Sequence, residues 1–331
     1  MSRRLRLVRL LADGELHSGE VLARALGVTR AAVAKQVGTL TAWGLPVRRV
    51  ARRGYGLAAP LALLDEAELV AALEPETRAR RAQLQLLTET ESTNGVLLAL
   101  APPEPGRWLG CLAEFQSAGR GRRGRSWLAP FASGLCLSFG WALREPPAEL
   151  AALTLAAGVA TLRALGRFAV EGLALKWPND VLQDGRKLGG VLCELRAEAG
   201  GPAYAVIGVG LNVRLPAATR AAIVSAGGLA PIDVAEALAP APCPTRGRLA
   251  AALLDELLRM ALEFQTHGFA PFLAEWRRAD ALCDRPVRVI AAAATRDGVA
   301  RGIDGDGSLR VELDGRVERV TSGEVTLRAV A

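Results

Sequence analysis

The sequence predicts an α+β chain of several domains, on three observations. A basic amino-terminal stretch shows helical spacing and then a two-strand pattern, RRLRLVRLLADGELHSGEVLARALGVTRAAVAKQVGTLTAWGLPVRRVARRGYGL. A central stretch alternates apolar and small residues around Asp-Gly turns, which marks an antiparallel meander rather than repeated βαβ units and disfavours a Rossmann domain. The carboxy-terminal stretch is β-rich, its short segments separated by RDG, DGDG and LDG. At 331 residues the chain is too long for one small core.

Composition removes several classes. The five cysteines (Cys111, Cys136, Cys193, Cys243, Cys283) are widely spaced and form no CxxC pair, so they are expected as reduced, mostly buried thiols of a cytoplasmic protein. With only His17 and His267, a histidine metal site or a Ser-His-Asp triad has little to work with. No charge-free run of about 18 apolar residues appears, and MSRRLRLVRLLADGE has no signal-peptide pattern, so no membrane partner is expected. The net charge of +7 favours polyanionic or phosphate-bearing partners, and its arginines are clustered.

In the first module, Leu5, Leu7, Val8, Leu10 and Leu11 open a helix that Asp13-Gly14 ends. Ser18 suits the N-cap of a second helix, carrying Val21, Leu22, Ala25 and Leu26, with Gly27 as its C-cap glycine. Thr29 caps a third, whose Ala32, Val33, Gln36, Val37 and Leu40 form the inward stripe or its border. This is the spacing of a helix-turn-helix, and PVRRV and GYGL joined by ARRG read as its wing. Thr29, Arg30, Lys35, Gln36, Arg52 and Arg53 are the candidate DNA-binding residues, next to Arg48 and Arg49. A three-helix protein-interaction module stays open as the alternative. The junction is expected near residues 60 to 66, with domains at 1–62, 63–280 and 281–331.

From about residue 84, QLQLLTETESTNGVLLALA reads as a strand, then a polar turn that sets Ser92, Thr93 and Asn94 at a helix N-terminus. Backbone N–H groups there can take a carbonyl or anion, although one such residue is often simply an N-cap. WLGCLAEFQSAG is a strand feeding the loop GRGRRGRSW. Beyond it, GLCLSFGWAL puts Leu135, Leu137, Phe139 and Trp141 on one face and Cys136, Ser138, Gly140 and Ala142 on the other. The small face is expected to receive a helix, with AELAALTLAAGVATLRALG as the candidate. WPND presents Asn179 and Asp180 after Lys176, Lys187 starts KLGGVLCEL, and Gly208 and Gly210 alternate before Asn212. Two helices follow (residues 246 to 264 and near PFLAEWRRA), APAPCPT is expected as an exposed loop, and a small barrel of about 50 residues closes the chain.

GRGRRGRSW admits an exposed basic or RNA-binding tract, or a loop that closes over a phosphate-bearing ligand. A Walker A loop is set aside, because GxxxxGK[ST] is absent. Gln116, Lys176, Lys187 and the Asn179-Asp180 pair nearby favour the closing loop, with catalysis by positioning and electrostatics.

ESTN, EFQSAGRGRRGRSW, KWPND, RKLGGVLCE and GVGLNV, in this order, resemble the biotin-protein ligases. The amino-terminal module makes the chain similar to the bifunctional bacterial type that also represses biotin synthesis. The resemblance covers essentially the whole chain. It implies a class II synthetase-like central domain, a carboxy-terminal SH3-like barrel, and the substrates ATP and biotin with Mg2+. It further implies a biotin carboxyl carrier protein (a subunit of acetyl-CoA carboxylase) as acceptor, and a homodimer on operator DNA. By matching motif, Ser92, Thr93, Asn94, Gln116, Arg120, Gly121, Arg122 and Lys187 would line the biotin site, with Lys187 and Arg122 catalytic. Arg122, Arg123, Arg125, Trp127, Lys176, Asn179 and Asn212 would serve ATP and the adenylate, and Asp180 would hold Mg2+. Bifunctional members carry an adenine-stacking tryptophan after GxGxN, whereas residues 213 to 235 here contain no aromatic and Leu229 is the nearest bulky candidate. Two further hypotheses are a ligand-sensing transcription factor without catalysis and a ligase for lipoate or octanoate.

Overall fold

The computed structural model describes residues 3–197, 201–290, 295–321 and 326–329. It opens with α1 (Arg3–Leu11), α2 (Gly19–Leu26), α3 (Arg30–Ala42) and the antiparallel hairpin β1 (Val47–Val50) and β2 (Gly54–Leu57). Local chemistry sets these boundaries. Ser18 Oγ accepts from the Val21 amide and Thr29 Oγ1 from the Ala32 amide, each satisfying an orphan donor of a helix start. Gly27 ends α2 in the left-handed region at φ 63°. Leu7, Val8 and Leu11 pack with Leu22, Leu26, Val33, Val37 and Leu40 as one core, as the helical spacing requires.

The chain continues through α4 (Glu66–Ala72), α5 (Pro75–Ala79), β3 (Arg81–Leu87), α6 (Thr93–Leu98), β4 (Trp108–Ala113), β5 (Gly134–Leu143) and α7 (Leu153–Gly166). The meander follows as β6 (Leu173–Lys176), β7 (Asp180–Gln183), β8 (Arg186–Ala197) and β9 (Ala203–Asn212). Together they form a seven-stranded sheet in the order β3-β4-β5-β9-β8-β7-β6, parallel only at β3-β4. Asp184 and Gly185 make the β7-β8 turn at φ 47° and 75°, as the Asp-Gly pair predicts. The β8-β9 turn predicted at AGGP falls largely outside the described residues. β3 begins at Arg81, three residues ahead of the expected start, because α5 ends at Ala79 and leaves no loop between them.

The two faces of β5 are divided differently from the expectation. Leu135, Leu137, Phe139 and Trp141 share a core with α7 and with α10 (Arg246–His267), so the long apolar helix covers the bulky face. The small face instead receives the short helix α6, with Ser138 hydrogen-bonded to Thr93 and Asn94. Small residues on this face leave room both for a polar helix start and for a cavity.

α8 (Ala217–Ser225), α9 (Val234–Ala237) and α11 (Ala270–Arg278) complete the helices. The chain ends in an antiparallel five-stranded sheet of β10 (Pro286–Ile290), β11 (Thr295–Ile303), β12 (Leu309–Leu313), β13 (Arg316–Val320) and β14 (Thr326–Ala329). Its Val287, Val289, Ala300, Ile303, Leu309 and Val311 merge with the central core, which suits a sheet too small to stand alone. The amino-terminal core is also shared: Phe131 is buried in it, stacked on Trp43 at 5.1 Å. Of the cysteines, Cys111 and Cys136 are buried, Cys193 and Cys243 half-buried and Cys283 exposed; all are free thiols. Among the described residues no helix is long and apolar enough to cross a membrane.

Candidate active site

Strand alternation and a helix start build one cavity of about 660 Å3 on the small face of the sheet. Ser92, Thr93 and Asn94 enter from the head of α6, and Gln116 from just past β4. Lys176, Asn179 and Asp180 enter from the β6-β7 turn, Lys187 and Gly190 from β8, and Gly208, Gly210 and Asn212 from β9. The arginine-glycine loop adds Arg120, Gly121, Arg122, Arg123, Arg125 and Trp127, so every predicted ligand-site residue outside the DNA module lines this space. Two glycines make it possible. A Cβ on Gly208 would lie 2.4 Å from Asn94 Oδ1, and one on Gly210 would lie 2.6 Å from the Trp127 indole.

Ser92 Oγ caps α6 by accepting from Gly95 N, and the Asn94 and Thr93 side chains join a closed hydrogen-bonded ring. Gln116 Oε1 accepts from the Thr93 amide at 2.7 Å and hydroxyl at 3.1 Å. Buried Ser138 donates toward Thr93 Oγ1 at 2.8 Å and Asn94 Oδ1 at 2.5 Å. Asn94 Nδ2 donates to Glu194 Oε2 at 2.8 Å, Glu194 Oε1 pairs with Arg120 Nη1 at 3.2 Å, and Arg120 Nη2 reaches Ser92 Oγ at 3.5 Å. Each member fixes the next, so the polar groups are held before any ligand arrives.

Charge is lopsided across the cavity. Arg120, Arg122, Arg123, Arg125, Lys176 and Lys187 face a single carboxylate, Asp180, among the described lining residues. That carboxylate pairs with Lys187 Nζ at 2.6 Å, and Lys187 also lies 5.7 Å from the Trp127 ring centre. Burial first, and neighbouring Arg123 second, pull Arg122 below its ordinary pKa, so an anion beside it would be welcome. The loop is not an extended tail. It folds on itself through Gly121 N to Arg125 O at 2.7 Å and Trp127 N to Gly119 O at 2.8 Å. Burial drives the Cys136 thiol, also in the lining, up to about 12, so it is a neutral and weak nucleophile.

Three predicted roles meet competing engagements. Asn212 donates to the Lys187 and Ile232 carbonyls at 3.1 and 3.0 Å, so its amide braces β8. Asn179 donates to the Val191 carbonyl at 3.0 Å, which pins the WPND turn. Asp180 is already held by Lys187, and among the described residues no group of three His, Cys, Asp or Glu could hold a metal. A pre-built Mg2+ site does not fit this donor set; a single carboxylate suits at most an ion carried in by nucleotide phosphates.

On the amino-terminal module, Arg30, Lys35, Arg52 and Arg53 are exposed, and Thr29 is spent as the α3 cap. Gln36 is half-buried, facing a crevice with Arg3, Arg4, Trp43, Thr88 and Glu89, because its position borders the Val33-Val37-Leu40 stripe. Arg48 turns inward to the Leu57 and Gly14 carbonyls at 3.0 and 2.8 Å, since a wing this short needs its ends tied. Arg49 lies over the Tyr55 ring at 5.9 Å.

Sequence reasoning missed Ser138 and Glu194. Strand alternation carries the signal for both: Ser138 shares a face with Cys136, and Glu194 with Gly190 and Leu192. Ile223, Ala226, Gly227, Gly228 and Leu229, at and after the end of α8, also line the cavity, where no chemistry-bearing residue type announces them.

Comparison with known proteins agrees with this architecture. Residues 88–212 match the biotin/lipoate A/B protein ligase family, residues 3–56 an HTH domain and residues 282–328 the biotin protein ligase C terminal domain. The bifunctional ligase/repressor BirA of Escherichia coli (strain K12) is 38% identical over 327 residues, spanning 98% of this chain and 97% of that protein. A biotin–[acetyl-CoA-carboxylase] ligase of Paracoccus denitrificans is 36% identical over 232 residues, 68% of this chain and 92% of that one. The biotin protein ligase from Aquifex aeolicus in complex with biotin and ATP superposes with a TM-score of 0.62 at 24% identity, covering 75% of this chain and 100% of that one, which shows a common fold. The chain therefore belongs to the biotin-protein ligase family, in its bifunctional ligase/repressor form.

Proposed function

We propose that the protein activates biotin with ATP as biotinyl-5′-AMP, transfers the biotinyl group to a lysine of a biotin carboxyl carrier protein, and represses biotin-synthesis genes through its helix-turn-helix. The observation that carries the catalytic half is one cavity holding both the Gln116-Thr93-Ser138-Asn94 ring and Lys187. The ring offers a compact neutral polar head its donors and acceptors, while the small face between Gly208 and Gly210 takes the apolar body. In the first step a biotin carboxylate oxygen attacks the α-phosphorus and pyrophosphate leaves. In the second the carrier amine attacks the acyl carbon, the amide forms and AMP leaves with the anhydride oxygen.

Lys187 shuttles from Asp180 to the reacting carboxylate and phosphate, neutralising charge that grows in the transition state. Arg122, Arg123 and Arg125 close on the adenylate phosphate, Lys176 faces the nucleotide phosphates, and Trp127 walls the ligand. Mg2+, when bound, neutralises ATP phosphates with Asp180 as its protein ligand. Leu229 and Ile223 take the place of an adenine-stacking aromatic. We further assign domains 1–62, 63–280 and 281–331, a class II synthetase-like central domain, an SH3-like carboxy-terminal barrel, a homodimer on operator DNA, an acetyl-CoA carboxylase subunit as carrier and a cytoplasmic location.

A transfer assay tests this with saturating ATP, Mg2+ and biotin. A biotin mass gain on a carrier domain is expected, lost in Lys187→Ala. No gain with the unaltered protein would sink the ligase reading, and a gain only with lipoate would move the substrate to the sister activity.

A further inference from the structure

We propose that Glu194 is a positioning residue of the biotin site, its carboxylate latching the arginine-glycine loop to the sheet so that bound adenylate is retained. The inference rests on the ligase reading of this cavity. Glu194 sits on β8 opposite Val206, two positions beyond Leu192 and four beyond Gly190, and so on the cavity side of the sheet. Its two oxygens do separate work. Oε2 accepts from Asn94 Nδ2 at 2.8 Å, and Oε1 takes Arg120 Nη1 at 3.2 Å. Arg120's other polar neighbour is Ser92 Oγ at 3.5 Å, a much weaker hold. The loop's remaining short bonds, Gly121 to Arg125 and Trp127 to Gly119, are internal and do not tie it to the sheet.

Glu194 is dispensable to the fold itself. Its backbone makes the β8-β9 ladder, it belongs to no hydrophobic cluster, and its side chain stays 26% exposed. Its effect is therefore expected on ligand retention. The pair is partly solvated, which sets a modest size for that effect.

Glu194→Gln separates the two jobs, because an amide oxygen still accepts from Asn94 while the charge facing Arg120 is gone. The release rate of biotinyl-5′-AMP from the preformed complex is expected to rise about fivefold, the ratio that about 1 kcal/mol gives. The KM for biotin should rise by a similar factor, with kcat for carrier transfer and the thermal midpoint unchanged. In an Arg120→Ala background the same substitution should add nothing. A release rate equal to the unaltered protein's overturns the proposal, as does a full fivefold increase on top of Arg120→Ala. Should the unaltered protein itself form no adenylate, it is the ligase reading that fails, not the latch.

Discussion

At the scale of single residues, the site depends on what is absent as much as on what is present. Gly208 carries no side chain where Asn94 must sit, and Asn94 is tied to Ser138, the Leu192 carbonyl and Glu194, so it cannot step aside. Gly208→Ala is accordingly expected to weaken biotin binding at least ~10-fold and to cost about 1–3 kcal/mol of stability, the usual range for overpacking. Titration calorimetry and thermal unfolding would read the two effects; unchanged affinity would show that Asn94 has freedom the ring denies it. Motif residues were legible in the sequence because their chemistry is unusual: arginines among glycines, a Trp-Pro-Asn-Asp turn, hydroxyls before a helix. Glu194 and Ser138 were not, because a strand glutamate or serine is ordinarily a solvated or packed residue until a partner appears across the sheet. The competing bonds of Asn179 and Asn212 were equally hidden, since a motif names a residue without saying which backbone carbonyl will claim it.

At the scale of elements, caps and Asp-Gly turns placed helices and hairpins to within a few residues, because those signals are local. Which helix covers which face was a tertiary question. Both α6 and α7 are apolar enough for β5, and volume decides: α7 brings large side chains to the bulky face, while α6 brings its polar head to the small one. The wing shows the same limit, since four arginines look equivalent in the sequence and are not in space. Arg48 spends its guanidinium on two carbonyls, whereas Arg52 and Arg53 stay exposed at the tip. Replacing Arg52 and Arg53 together with alanine should weaken operator binding and reduce the slope of log affinity against log salt by roughly 2, one counterion per lost phosphate contact. Arg48→Ala should leave that slope alone and lower the thermal midpoint instead. Equal salt slopes for the two variants in a fluorescence titration would contradict this division.

At the scale of the whole molecule, the amino-terminal module is clamped to the centre by a buried charge pair. Arg246 of α10 and Glu114, just past β4, lie 2.6 Å apart with side chains 7% and 6% exposed. Both also hold the connecting chain: Glu114 Oε1 accepts from the Leu64 amide at 2.6 Å, and Arg246 donates to the Ala62 carbonyl at 2.9 Å. Glu114 directly precedes Phe115, which packs beside Trp43, and Gln116, which closes the polar ring, so the clamp joins the two functional halves. Glu114→Ala would strand a buried guanidinium and release the linker, at a cost of about 3–5 kcal/mol. Calorimetry should then show the single unfolding transition shift down and split, the amino-terminal core melting first. Glu114→Ala combined with Arg246→Met removes both charges and should recover much of the loss in midpoint, because a buried apolar pair avoids the desolvation that an unpaired charge incurs. A single variant that melts as one unit at the original midpoint, or a double variant no better than the single, would mean that the Trp43-Phe131 stack alone holds the module in place.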